Sequence, residues 1–216
     1  MPTPTDRTRP LRLRDRMTDD DTALREVLDE ALVCHVGFIV DGDPRILPTL
    51  FVREGDLVYL HGSSGSRLAL LARGDGVPVC LTVTVLDGLV LARSQFHHSV
   101  NYRSVIVHGT AHLVTDDSAK LRVLAAMVDK VGTGRAAETR APDDRELAQT
   151  AVLALALDEA ATKRRAGGVV DDEADLTIPA WAGVVPIRQV RGEPQPDAGV
   201  TVPLPAYLTG QPGRTS

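Results

Sequence analysis

Residues 33–62 read VCHVGFIVDGDPRILPTLFVREGDLVYLHG. Three apolar runs, VCHVGFIV (33–40), RILPTLFV (45–52) and LVYLHG (57–62), are separated only by D-G-D-P and R-E-G-D. Glycine beside aspartate accepts the positive φ of a tight reversal, so the three runs predict strands joined by hairpins. Strands connected this closely run antiparallel.

The same logic extends outward. Val77, Val79, Leu81, Val83 and Val85 alternate on one face, and Asp87-Gly88 predicts a turn into LVLARS (89–94). YRSVIVHGTAHLV (102–114) is a long strand, and TAVLALALD (150–158), helical by propensity, suits a closing strand by its position. Three helices are expected. The first opens on Thr18 to Asp21 and repeats Ala23, Leu24, Val27, Leu28, Ala31 and Leu32. RLALLAR (67–73) is short, and a third, capped by Asp116 and Asp117, carries Leu121, Leu124 and Val128 on one face. Six or seven strands with few helices predict a mainly β (α+β) antiparallel barrel. No G-x-G-x-x-G follows the first strand, which excludes a dinucleotide-binding parallel sheet.

The chain has 216 residues, 43% hydrophobic and 25% charged, with net charge -5. That composition suits one globular domain, here 18–191, between an N-terminal arm (1–17) and a Pro/Gly-rich tail (192–216). The acidic balance argues against a nucleic-acid surface. No apolar run nears the roughly 20 residues of a membrane helix, and the first residues lack the apolar stretch of a secretory signal. The expectation is a cytoplasmic protein with Cys34 and Cys80 as buried thiols.

Two stretches carry chemistry. In YLHGSSGSRLALL (59–71) a strand breaks at glycine, serines follow, and Arg67 opens a helical run. Exposed N–H groups, Ser63, Ser64 and Ser66, and a guanidinium that grips two oxygens suit an anion such as a phosphate. An ordinary serine-capped turn fits the same letters. In SQFHHSVNYRSVIVHGTA (94–111), His97, His98, Ser99 and Asn101 precede Tyr102-Arg103-Ser104 at a strand start. Arg103 and Ser104 point to opposite faces, so only one of them can face a ligand there, and a plain polar strand end fits the same letters. His108 and His112 fall in a strand, about 13 Å apart, and cannot share a metal ion. G-S-S-G is not a nucleophile elbow, and VGTGR (131–135) lacks the lysine of a phosphate loop.

In their order, RILPTL (45–50), VYLHGSSGSRL (58–68), YRSVIVHG (102–109) and WAGVVPI (181–187) make the chain resemble the pyridoxamine 5′-phosphate oxidase-like family of FMN-binding split barrels. The branch it resembles is that of flavin-nucleotide-binding proteins, similar to nitroimidazole-resistance reductases. The resemblance implies a homodimer holding FMN at the subunit interface. Leu47, Pro48, Thr49, Leu50, Tyr59, Leu60 and His61 would lie along the flavin ring. Ser66 and Arg67 would hold its phosphate, with Ser63, Tyr102 and Arg103 or Ser104 beside it. Trp181 is either a core anchor or a wall of the pocket. The implied activity is an FMN-dependent oxidoreductase acting on a small molecule with a donor such as NAD(P)H, His61 and His98 being available as proton carriers. A flavin-storage protein and a split barrel using haem or a deazaflavin are the alternatives, with His61, His97 or His98 as haem ligand. Two departures stand out: Leu68 where the family often has lysine, and no C-terminal R-x-H in PAYLTGQPGRTS (205–216).

Overall fold

The computed structural model describes residues 5–8, 16–18 and 20–208. Its strands in chain order are β1 (Met17–Thr18), β2 (Val33–Val40), β3 (Asp43–Glu54), β4 (Leu57–Ser63), β5 (Val77–Leu91), β6 (Ser99–Leu113), β7 (Thr150–Ala156), β8 (Glu159–Arg165) and β9 (Gly183–Pro186). The helices are α1 (Asp21–Glu30), α2 (Arg67–Leu71), α3 (Asp117–Val131), α4 (Arg135–Glu138) and α5 (Asp144–Gln149). Every strand pair is antiparallel. The order β6-β7-β4-β3-β2-β5 closes on itself through the β5–β6 pair, giving a ring of six strands. β8 and β1 extend the β6 side, and β9 extends β5.

Alternation explains the core. Val77, Val79, Leu81 and Val83 turn inward from β5 and meet Val105 and Val107 of β6 and Leu153 and Leu155 of β7. Val85 packs at the margin of the same cluster. Leu24, Val27 and Leu28 of α1 add to this core, each burial contributing roughly 1.5–3 kcal/mol. A smaller cluster lies outside the ring, where Val123 and Met127 of α3 cover Val52, Tyr59 and Val152.

The β2–β3 turn is tight, with Asp41 and Gly42 both at positive φ (51° and 86°), and Asp43 and Pro44 already belong to β3. α1 begins later than its sequence signal: Asp20, not Thr18, caps it by accepting from Thr22 N (2.9 Å), because Thr18 is held extended against Thr162. No turn forms at Asp87-Gly88. β5 runs through it with a bulge between Leu86 and Gly88, since β6 offers a partner over its whole length and continuous pairing outweighs a local turn preference. The chain reverses after Leu91, through a 3-10 turn at Gln95–His97. The basic run ATKRR (161–165) is most of β8. Ala160 and Thr162 are buried while the longer stems lie outward. Part of the N-terminal arm is held by this strand: Thr5 and Arg7 both bond the Glu159 carboxylate.

Candidate functional site

The ring has a split. β3 pairs with β4 only from Phe51↔Leu60 to Glu54↔Leu57; beyond that point β3 follows β2 and β4 follows β7. The edge of β3 from Leu47 to Leu50 therefore faces the edge of β4 from His61 to Ser63 with no strand between them. Backbone groups on such edges need partners and suit a planar polar molecule. Leu47 and Thr49 turn to the inner side, whereas Pro48 and Leu50 stand on the outer face beside His35 and Val33.

At the end of the split the chain turns sharply. Ser66 N donates to Ser63 O (2.9 Å), Ser63 Oγ accepts from Gly65 N (3.2 Å), and Ser64 N donates to Gln149 O (2.8 Å). Ser66 Oγ is occupied as the cap of α2, accepting from Ala69 N (3.3 Å). α2 has only five residues, so its dipole is small and the side chain of Arg67 matters more. Arg67 is exposed and has no ion pair among the described residues. It is a cation without a carboxylate, set at the mouth of the split.

Other sequence candidates stand apart. Tyr59 is buried under α3, and Leu60 is buried inside the ring; both pair through their backbones with β3 and β7. Neither offers a planar ligand a surface. Arg103 turns inward and is consumed by two carboxylates: Nη1 and Nη2 donate to Glu30 (2.6 and 3.0 Å), while Nε and Nη2 donate to Asp87 (3.0 and 2.7 Å). These bonds raise its already high pKa. Tyr102 and Ser104 share the outer face with His35, two strands away, and Pro48, three strands away. The face question at 103–104 is thereby answered for one chain: Ser104 looks outward and Arg103 does not. Trp181 is 67% exposed and is no core anchor. Its ring lies against Gly183, where a Cβ would come within 2.8 Å of it. Gly183 pairs with Leu91, nine residues along β5 from Thr82, which is level with Pro48. At about 3.3 Å per residue, Trp181 is on the order of 30 Å from the split.

The histidines differ in their partners. His61 has a buried Nδ1 with no hydrogen bond. His97 Nε2 is 3.2 Å from Asp172, and with Asp175 the three side chains bring metal-capable atoms within 4.8 Å of one another. His98 Nδ1 is 2.8 Å from Ser94 O. His108 Nε2 is 4.0 Å from Cys80 Sγ, next to a cavity of about 380 Å³ that also takes in His112, Asp158 and Glu159. That cavity fills a second fork, where β6 passes from β8 to β7. Nothing in the sequence marked it, because a fork depends on which strand leaves which.

The family model for pyridoxamine 5′-phosphate oxidase matches residues 20–164. The chain belongs to this family. Among solved structures it is similar to the flavocytochrome Anf3 from Azotobacter vinelandii, with 39% identity over 97% of this chain and 98% of that one and a TM-score of 0.89. The FAD and heme binding protein from Mycobacterium smegmatis is 38% identical over 92% of this chain and 98% of its own, with a TM-score of 0.85. A putative 5-nitroimidazole antibiotic resistance protein from Bacteroides thetaiotaomicron shares the fold at 20% identity, over 68% of this chain and 85% of that one, with a TM-score of 0.58. No curated protein matches. Within this oxidase family the chain's departure at Leu68 has a structural reason: the side chain is buried in the ring's core, where a lysine would carry an unpaired charge.

Proposed function

We propose that this chain is a flavin- and haem-binding redox protein, with FAD in place of the FMN expected from sequence, and with the split between β3 and β4 as the flavin site. The observation that carries the reading is that structures 39% and 38% identical over more than nine-tenths of the chain are a flavocytochrome and an FAD and heme binding protein. The residues present fit a flavin. The open edge at Leu47–Leu50 suits the polar rim of a planar ring, and Arg67 is a cation with no ion pair among the described residues, suited to a phosphate. A bound flavin supplies hydride and single-electron transfer, and a haem exchanges single electrons. The protein's part is to hold both and to keep water from them.

A second copy of the chain belongs to this reading. Val33, Ile39, Ile46, Leu50 and Ile106 are all exposed on one outer face, Ile46 by 73%. A patch of this kind marks an interface. It also supplies a way for Trp181, Tyr102 and Ser104 of one protomer to approach the split of the other.

The test is chemical. Purified protein should carry flavin and haem bands, and the flavin released by acid should yield AMP on phosphodiesterase treatment, as FAD does and FMN does not. Reduction of the bound flavin by NAD(P)H in a stopped-flow instrument separates an oxidoreductase from a storage protein. Protein that is colourless and stays so after addition of FAD, FMN and haem would sink the proposal.

A further inference from the structure

We infer that His98 is the axial ligand of the haem iron; this rests on the haem reading above. An imidazole that binds iron needs one nitrogen free and the other fixed by a hydrogen bond to a carbonyl or carboxylate, which sets tautomer and orientation. His98 has this arrangement. Its Nδ1, 2.8 Å from Ser94 O, must carry the proton, because a carbonyl only accepts. The lone pair then sits on Nε2, and the ring is exposed.

The surroundings suit a porphyrin. His98 (φ -59°, ψ 142°) has a polyproline-like backbone and stands just ahead of β6, two residues before Val100. Val100 is level with Leu89 and Val185 in a row across β6, β5 and β9, and all three are exposed, as is Phe96 at 90%. An apolar row with one free imidazole at its margin is what a large flat apolar ring with a central metal would cover.

The remaining histidines fit less well. His97 is half-buried, its Nε2 is engaged by Asp172, and its Nδ1 lies next to its own backbone, where a porphyrin plane would collide. His61 has nothing to orient its buried Nδ1. The His108 ring sits against Cys80. His35 and His112 have no orienting hydrogen bond among the described residues.

The experiment compares the full-length protein with His98→Ala, His98→Met and His97→Ala, reading haem-to-flavin ratio and visible and EPR spectra. In His98→Ala the haem content should fall by at least about tenfold, as loss of a ligand does, while bound flavin stays constant and reports an intact fold. Added imidazole should restore the haem spectrum of that variant. His98→Met should keep haem with an altered ligand field, and His97→Ala should keep both content and spectrum. Haem retained in His98→Ala with an unchanged spectrum overturns the assignment to His98 alone. A wild-type protein that takes up no haem overturns the haem reading itself and this assignment with it. If His98→Ala loses flavin together with haem and imidazole restores neither, the residue is structural and the assignment fails.

Discussion

Arg103→Met separates a structural arginine from a cofactor arginine. In the free chain its guanidinium joins Glu30 of α1 to Asp87 at the β5 bulge, so its removal should loosen the packing of α1 on the ring. The arginine side chain is 23% exposed, against 42% and 35% for the two carboxylates. The cost therefore falls between an exposed pair, below about 1 kcal/mol, and a buried one, about 3–5 kcal/mol. The carboxylates keep access to water once the guanidinium is gone, and methionine retains most of the apolar stem, so about 2 kcal/mol is expected. For a domain of this size that lowers the melting temperature by about 4–8 °C. Thermal melts of flavin-free protein followed by circular dichroism measure it, beside a flavin titration of each variant. Arg67→Ala should behave in the opposite way. Its melting temperature in the flavin-free state should be unchanged, since it has no ion-pair partner to lose among the described residues, while FAD affinity falls about ten- to a hundredfold with the loss of a charge-assisted phosphate bond. If Arg103→Met leaves flavin-free stability intact yet weakens FAD binding tenfold, the ion pairs are incidental and Arg103 serves the cofactor.

Three other outcomes are expected. Gly76→Ala should cost at least about 2 kcal/mol more than Gly74→Ala in urea denaturation: both positions have positive φ, but only at Gly76 would a Cβ come within 2.8 Å of Ala111 O and 2.7 Å of His112 and Thr110. Equal costs would show that the loop yields freely. Burial pushes the Lys130 ammonium, which donates to Leu28 O, down to about 8 from 10.5. Between those values the folded chain has shed a proton that the unfolded chain keeps, so stability should rise with pH there and Lys130→Met should flatten the rise. Burial of Cys34, pushed up to about 12 from 9, acts oppositely above pH 9, so urea midpoints at pH 8 and 9 are the ones to compare. Trp181, the only tryptophan, should be quenched when flavin binds the assembled protein and should recover on its removal; identical emission with and without flavin would place it away from the cofactor.

Much of the ring was legible because its strands announce themselves locally. Residues 33–62 alternate and turn within the span of each hairpin, so β2, β3 and β4 follow from short-range chemistry. TAVLALA becomes β7 because its place between two edges outweighs its helix propensity. β8 was hidden because alanine, glutamate and basic residues favour strands little and Thr162 is its single β-branched residue, and only the free edge of β6 makes them a strand. The bulge at Asp87 was hidden for a related reason: an aspartate–glycine pair serves a turn or a bulge, and the neighbouring strand chooses.

The site divides in the same way. The letters around Arg67 and the serines determined, without any structure, that a strand ends in a turn with a cation at its exit, because those residue types act on their own backbone within three or four positions. Whether Arg103 or Ser104 looks outward, whether Tyr59 meets a ligand or the underside of α3, and whether His97 keeps a free Nε2 were decided by partners far away in sequence. Glu30, Asp87, Met127 and Asp172 become neighbours only when the ring closes. A side chain's charge and shape are local properties, but what it is free to bind depends on what the fold has already placed against it.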